Sequence, residues 1–241
     1  MKFALLRLTR RSGYVPLRRA GRVLVRARTS DAEVFEEIYA DQQYAHPLLP
    51  RARRILDLGA CTGLASAFLS GLYPQAQVVA LEADPSNYAA LQANARGRPA
   101  ISCRLAAVWD RRGTLRIQNP DAPAWAKTVA EVGPGAEVKA MSINDLLDEL
   151  GWDTVDLVKM DIEGAERRVL QAGDWLRRTR ALLIELHERT EPGCRAALES
   201  AIAAHWGVGS ARRDGRVLFL VAPDPPCPKA AGTPPSAPNG D

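Results

Sequence analysis

Two runs of this chain have residue types and spacing that could do chemistry. They are Asp57-x-Gly59-x-x-x-Gly63 and Val158-Lys159-Met160-Asp161-Ile162-Glu163-Gly164-Ala165-Glu166. The first reads as the turn where a strand becomes a helix. Gly59 permits a left-handed turn and lets backbone approach a ligand closely. The helix N-terminus that follows favours a carboxylate or a phosphate. Glu82 lies 23 residues beyond Gly59, at the end of the next apolar run. A carboxylate there can accept hydrogen bonds from both hydroxyls of a ribose. A pyrophosphate-binding loop would need glycines where this chain has Cys61 and Leu64, which disfavours a nicotinamide dehydrogenase. The spacing suits a smaller anion, the carboxylate of a methionine moiety, with Asp57 taking its ammonium directly or through water. Asp57, Gly59, Gly63 and Glu82 together point to S-adenosylmethionine. Backbone N–H groups at Ala106, Ala107 and Val108 are placed to meet its adenine edge. Glycines of an ordinary α/β turn are the blander reading, and the acids at Asp57 and Glu82 argue against it.

In the second run Lys159, Asp161 and Glu163 share one side of an extended segment. That strand should be central and buried on both faces, where charges are costly unless paired. The bland reading is a structural Lys159–Asp161 pair, with Glu166 complementing a helix N-terminus. Glu166 is assigned that role. Ligands in such sheets bind beyond the carboxyl ends of the strands, which gives Asp161 a chemical role instead. Glu185 and His187 share a face in Leu183-Ile184-Glu185-Leu186-His187-Glu188 and reach the same rim. The candidate catalytic set is therefore Asp161, His187, Lys159 and Glu185. His187 as a base would titrate near ~6.5, raised by a neighbouring carboxylate or lowered by burial. Metal-free chemistry is favoured over the alternative, a magnesium ion (Mg2+) held by Asp161 and Glu185. His46 and His205 read as structural or solvated.

The elements that must position these residues follow from the pattern. Ser30 or Asp31 can cap a helix carrying Val34, Phe35, Ile38 and Tyr39 at helical spacing. Strands are expected at Arg54–Leu58, Val78–Leu81, Ser102–Ala106, 155–161, Ala181–Leu186, Trp206–Ser210 and Val217–Val221. Helices are expected at Leu64–Leu72, Ser86–Ala95, Ile143–Leu150, Glu163–Ala172 and Glu191–His205. Thr114–Gln118 and Glu137–Ser142 read as an inserted β-hairpin. Strands alternating with short helices give an α/β doubly wound sheet. The last two strands have no helix between them, so one edge is antiparallel. The expected fold is a Rossmann-like, seven-stranded, mostly parallel sheet of order 3-2-1-4-5-7-6, the class I methyltransferase layout. Acceptor specificity is expected in the loops at 30–50 and 119–136.

Composition sets the remaining bounds. The 241 residues are 46% hydrophobic and 25% charged, which excludes collagen, coiled coil and wholesale disorder. No apolar run is long enough for a membrane span. Four scattered cysteines (Cys61, Cys103, Cys194, Cys227) have neither disulfide nor zinc spacing and read as reduced thiols in a cytoplasmic protein. Arginine outnumbers lysine 27 to 5, a bias of GC-rich bacterial genomes. Residues 1–30 carry nine basic residues and no acid, so the rest of the chain has a formal charge of −5. Residues 1–28 are taken as a basic N-terminal arm, solvated or packed partly on its own domain. Its apolar Phe3, Leu5, Leu6 and Leu8 give it an alternative as a peripheral membrane contact. The domain proper is placed at 29–222. The tail 223–241, with seven of the 17 prolines, is expected to lack fixed structure.

The runs ILDLGA at 55–60, SINDLL at 142–147, DLVKMDIEGAE at 156–166 and IELHE at 184–188 resemble the FkbM-type methyltransferases. The entry segment TSDAEVFEEIYADQQY at 29–44 is similar to theirs as well. The resemblance spans about residues 29 to 190. It implies a Rossmann-like fold, S-adenosylmethionine, and methyl transfer to a hydroxyl of a sugar, glycan or natural product. Cys61 and Thr62 depart from the family's usual loop residues. Two other functions remain open on the residues alone. An RNA 2′-O-methyltransferase would use the basic arm for phosphates, but the body is net negative and lacks interleaved aromatics for stacking. A non-catalytic, membrane-recruited cofactor-binding module would bind S-adenosylmethionine without turnover. Nucleic acid is not the favoured partner; a small-molecule or glycan acceptor is.

Overall fold

The computed structural model describes residues 12–17, 21–46, 49–207, 210–214 and 217–223. Gly13–Leu17 (β1) and Gly21–Val25 (β2) pair antiparallel, with Val15 opposite Val23. Alternation along the strands turns Val15, Val23 and Val25 inward, into the same core cluster as Ile55, Leu64 and Val78. Asn94 ties this hairpin down from the far side. Its Oδ1 accepts the Leu24 N–H at 2.5 Å and its Nδ2 donates to the Leu24 carbonyl at 3.2 Å. The domain core thus reaches back to Val15, and the boundary expected at residue 28 is not where packing stops. Arg22 stays exposed, while Arg26 reaches buried Asp31 at 2.9 Å. Residues 1–11, with the apolar side chains on which a membrane contact was expected, lie outside the described part. So do residues 224–241, and with them most of the expected tail.

Asp31–Phe35 (α1) passes directly into a π-helical turn at Glu36–Ala40. Ser30 precedes α1 but makes no capping bond with its side chain. The alternating units then run Arg54–Leu58 (β3), Leu64–Leu72 (α2), Gln77–Glu82 (β4), Pro85–Ala95 (α3) and Ile101–Leu105 (β5). Asp84 caps α3, accepting from the N–H groups of Ser86 and Asn87, and the helix starts one residue before the expected Ser86, with Pro85 at the first helical position, which proline favours. Ala107–Val108 (β6), Gly113–Ile117 (β7), Val129–Ala130 (β8) and Glu137–Met141 (β9) follow. The expected hairpin is the antiparallel β7–β9 pair, enlarged by β6 and β8 into a four-stranded sheet. Ile143–Glu149 (α4), Leu157–Met160 (β10), Glu166–Gln171 (α5), Ala181–Glu185 (β11), Cys194–His205 (α6), Ser210–Asp214 (β12) and Val217–Val221 (β13) complete the chain.

The main sheet has the order β12-β13-β11-β10-β3-β4-β5, the expected 3-2-1-4-5-7-6. β3, β4, β5, β10 and β11 are mutually parallel, and β13 runs antiparallel to β11 and β12. Period two divides the core between the faces. Ile55, Leu157 and Leu183 pack on one side, and Leu56, Val158 and Leu182 on the other. Three element starts differ from the sequence expectation by more than two residues. The helix α5 starts at Glu166 because Glu163 and Gly164 adopt φ +53° and +101°, which no helix tolerates. The helix α6 starts at Cys194, where the Glu188 carboxylate accepts the N–H groups of Gly193 and Arg195, each at 2.8 Å. The strand β12 starts at Ser210, since Trp206 still closes α6, its N–H bonded to the Ile202 carbonyl at 2.8 Å. Among the described residues no helix is long and apolar enough to cross a membrane.

Candidate functional site

The parallel strands β3, β4, β10 and β11 all end at one cavity of about 970 Å³. It is lined by the turn after β3 and by Glu82, Ala106, Ala107 and Val108, and also by Asp161, Glu163, Glu185 and His187. Gly59 sits at φ +73°, and a Cβ there would lie 1.8 Å from the Asp161 carbonyl oxygen. Only glycine lets the ends of β3 and β10 approach so closely. Gly63 has a different task. A Cβ there would lie 2.6 Å from Leu91 Cδ1, so its bareness serves the packing of α2 on α3, and it does not line the cavity.

Glu82 ends β4 with 7% of its surface exposed. Its carboxylate accepts the Cys61 and Asp84 N–H groups, each at 2.8 Å. Burial pushes its pKa up to about 7, against the lowering effect of these two bonds. A buried acceptor with lone pairs left over suits the hydroxyls of a ribose. Asp57 is not placed to meet an ammonium. It is fully buried and lies opposite Lys159 across the β3–β10 ladder. One carboxylate oxygen is 3.1 Å from Lys159 Nζ, and the other accepts from Ser66 Oγ at 2.5 Å. The expected cofactor role for Asp57 is thus corrected to that of counter-ion for a buried lysine.

Lys159 is itself buried, and its Nζ donates to the Gly59 carbonyl at 2.8 Å and lies 3.9 Å from Asp161. Burial opposes its charge, but Asp57 and Asp161 outweigh it and hold its pKa above the ordinary lysine value. Lys159 is therefore a fixed cation and not a base. Asp161 keeps 22% of its side chain exposed. Its Oδ2 accepts the Tyr44 hydroxyl at 3.1 Å. Its Oδ1 is shielded and has no hydrogen-bond partner among the described residues.

His187 stands in a ring of carboxylates. Its Nδ1 meets Glu166 at 2.9 Å, and its Nε2 lies 3.3 Å from Glu163 and 3.8 Å from Asp161. Burial disfavours its charge, but the bonds to Glu163 and Glu166 prevail and raise its pKa to about 11. The expectation of a neutral base near the ordinary value is corrected accordingly: in this setting His187 is an imidazolium at neutral pH. Glu185 accepts from Gln43 Nε2 at 3.0 Å. Among the described residues, Glu185 is not in the group of three potential metal ligands that the fold gathers around Asp161. The atoms within 4.8 Å of one another belong to Asp161, Glu163 and His187, and a nitrogen in that set suits magnesium poorly.

Sequence reasoning missed Tyr44 and Gln43, which arrive from the loop after the π-helical turn, and it left Glu163 out of the set. Residues 119–129 form a further wall. Lys127 Nζ meets Asp84 at 2.9 Å, Asn87 Nδ2 donates to the Ala124 carbonyl at 2.7 Å, and Trp125 lines the cavity 47% exposed. Both loops expected to carry specificity thus contribute to the cavity.

A model of the methyltransferase FkbM domain matches residues 57–205. Methyltransferase sdnD of Sordaria araneosa is 29% identical over 179 residues, spanning 58% of this chain and 68% of that protein. The 31-O-demethyl-FK506 methyltransferase FkbM of Streptomyces tacrolimicus is 28% identical over 193 residues, spanning 64% of this chain and 74% of the relative. The crystal structure of methyltransferase FkbM from Methylobacillus flagellatus superposes with a TM-score of 0.55 at 17% identity, over 77% of this chain and 47% of its own. This chain thus spans about half of that one, and the likeness is one of fold. With the family match covering more than half its length, the chain belongs to the FkbM family of S-adenosylmethionine-dependent methyltransferases.

Proposed function

We propose that the chain methylates a hydroxyl oxygen of a small natural product or sugar, and that Asp161 receives the hydroxyl proton. The observation that carries this reading is the single cavity joining Glu82 and the Gly59 turn to Asp161, Glu163 and His187. Its volume is in the range of small-molecule sites, roughly 300–1,000 Å³. Glu82 fits the ribose hydroxyls, and Ala107 and Val108, which line the cavity, fit an adenine edge; the expected part of Ala106 is corrected, because its N–H is already given to the Glu82 carbonyl at 3.0 Å. S-adenosylmethionine supplies an electrophilic methyl group when bound. The protein's part is to aim the acceptor oxygen, an effect of roughly 7–11 kcal/mol in well-oriented systems, and to take its proton. Tyr44 donates to Oδ2 of Asp161 and Lys159 lies 3.9 Å from it, while Oδ1, shielded in this structure, has no donor among the described residues.

A natural-product hydroxyl is supported further by the relative from Streptomyces tacrolimicus, which is named as the methyltransferase of 31-O-demethyl-FK506. RNA is disfavoured by the cavity wall, where Glu33, Glu37, Glu163, Glu185 and Glu188 would face its phosphates. The test is incubation with methyl-labelled S-adenosylmethionine and a panel of hydroxylated polyketides, terpenoids and sugars. An O-methylated product from one class, abolished in Asp161→Asn, is the expected result. Failure of the wild-type protein to bind S-adenosylhomocysteine by calorimetry would sink the reading.

A further inference from the structure

Glu166 opens α5 with none of its surface exposed. A wholly buried carboxylate is costly unless its oxygens are satisfied. Residues of a helix's first turn commonly serve that helix's own free N–H groups. Glu166 instead reaches backwards and sideways. Its Oε2 accepts the Gly164 N–H at 2.9 Å and its Oε1 the Ile162 N–H at 3.0 Å. The same Oε1 lies 2.9 Å from Nδ1 of His187, which follows the neighbouring strand β11. One carboxylate therefore bonds the turn that carries Asp161 and Glu163 and the imidazole from another strand end.

Two consequences follow. With Nδ1 committed to Glu166, the ring can only present Nε2 towards Glu163 and Asp161, at 3.3 and 3.8 Å. The turn itself is also unfavourable when isolated. Glu163 occupies φ +53°, a left-handed conformation costing a side-chain-bearing residue roughly 1–2 kcal/mol. Bonds to the N–H groups on both sides of Glu163 hold it there. Glu166 does not line the cavity, so it acts on the chemistry only through the groups it holds.

We propose that Glu166 is a positioning residue for methyl transfer, fixing His187 and the Asp161–Gly164 turn in one register through a single buried carboxylate. Its effect on turnover rests on the methyltransferase reading; its effect on the imidazole does not. The experiment is nitrogen-15 NMR of the histidine rings in wild type, His187→Asn and Glu166→Gln. The glutamine keeps the shape of the side chain, but its amide cannot serve both backbone N–H groups and the ring at once. The wild type should show a protected Nδ1–H signal that vanishes in His187→Asn and is lost or strongly displaced in Glu166→Gln. S-adenosylhomocysteine affinity should stay within about threefold, since Glu166 does not line the cavity, while turnover falls about 10- to 100-fold, as for other groups that orient a functional histidine. In the double variant the loss should not add, because both changes remove one unit.

An unchanged ring signal in a cooperatively folded Glu166→Gln protein would overturn the proposal. If that variant does not fold, the wild type decides: no protected Nδ1–H assignable to His187 overturns it equally. Failure of the methyltransferase reading would appear separately, as wild-type protein that does not bind S-adenosylhomocysteine.

Discussion

Cofactor affinity should depend on the protonation of Glu82. Burial raises this carboxyl from 4.5 to about 7. Accepting two ribose hydroxyls favours the ionised form and returns the value towards the ordinary range. If binding brings it back to 4.5, linkage makes S-adenosylhomocysteine bind about 25-fold more tightly at about pH 8 than at about pH 5.5. Glu82→Gln should bind more weakly throughout and lose the slope. Without cofactor the same proton has the opposite sign for stability. Glu82 stays protonated in the folded state between 4.5 and about 7, where the unfolded chain has already lost its proton. Its stabilising contribution is complete below about pH 4.5 and disappears as the pH rises through about 7, an effect of at most about 3 kcal/mol. Calorimetry across this range checks the binding arm, and urea unfolding checks the other. A flat wild-type affinity profile, or a slope surviving in Glu82→Gln, would refute the argument.

Three further outcomes are expected. Asp161→Asn should cut turnover by about 10²–10⁴-fold while leaving S-adenosylhomocysteine affinity within a few-fold, and retention of a tenth of the activity, by rough comparison with that range, would remove Asp161 as proton acceptor. Lys159→Met strands buried Asp57 without its cation and should cost about 3–5 kcal/mol in urea unfolding; a loss below about 1 kcal/mol would mean that Asp57 finds another partner. Val23→Ala, in the hairpin β1–β2, should cost about 2 kcal/mol, and removal of residues 1–28 should abolish the cooperative melt; an unchanged melting temperature after that truncation would show the hairpin to be dispensable.

What could be read in the sequence was periodicity within a single segment. Arg54–Leu58, Leu64–Leu72 and Val217–Val221 have the expected bounds, because apolar runs between glycine and charged punctuation carry their own period. The hairpin at residues 13–25 was hidden by its arginines. Val15, Val23 and Val25 alternate correctly, but nine basic residues in the first thirty make a solvated arm the natural reading. The site divides the same way. The position of Glu82 and Asp161 at strand ends follows from local pattern alone. The partner of Lys159 does not: Asp57 lies 102 residues away in sequence and meets it only through the β3–β10 register. Glu166 and His187 are joined likewise across two elements, and no spacing along one strand reveals which carboxylate an imidazole will meet.

The corrected protonation of His187 changes where the basicity of the site resides. Asp57, Asp161, Glu163 and Glu166 surround two cations, Lys159 and the imidazolium of His187. The group carries a formal excess of two negative charges in a water-poor setting. Its neighbours register that excess. Tyr44 is pushed well above its ordinary value, first by burial and then by Asp161, and Glu163 is raised by burial and by Asp161 even beside a cation. The negative charge of Asp161 is one of the causes that raise Glu163, so the two carboxylates are coupled through their repulsion. If Asp161 receives the hydroxyl proton as proposed, Glu163 shares in the reception, since the loss of charge at Asp161 removes a repulsion that Glu163 feels. On this account, neutralising Glu163 should weaken the site as a proton acceptor even though Asp161 is untouched, whereas an isolated Asp161 base would be indifferent to it. Glu163→Gln, followed as turnover against pH, separates the two: an acid limb moved to lower pH supports the cluster, and an unmoved limb assigns the proton to Asp161 alone.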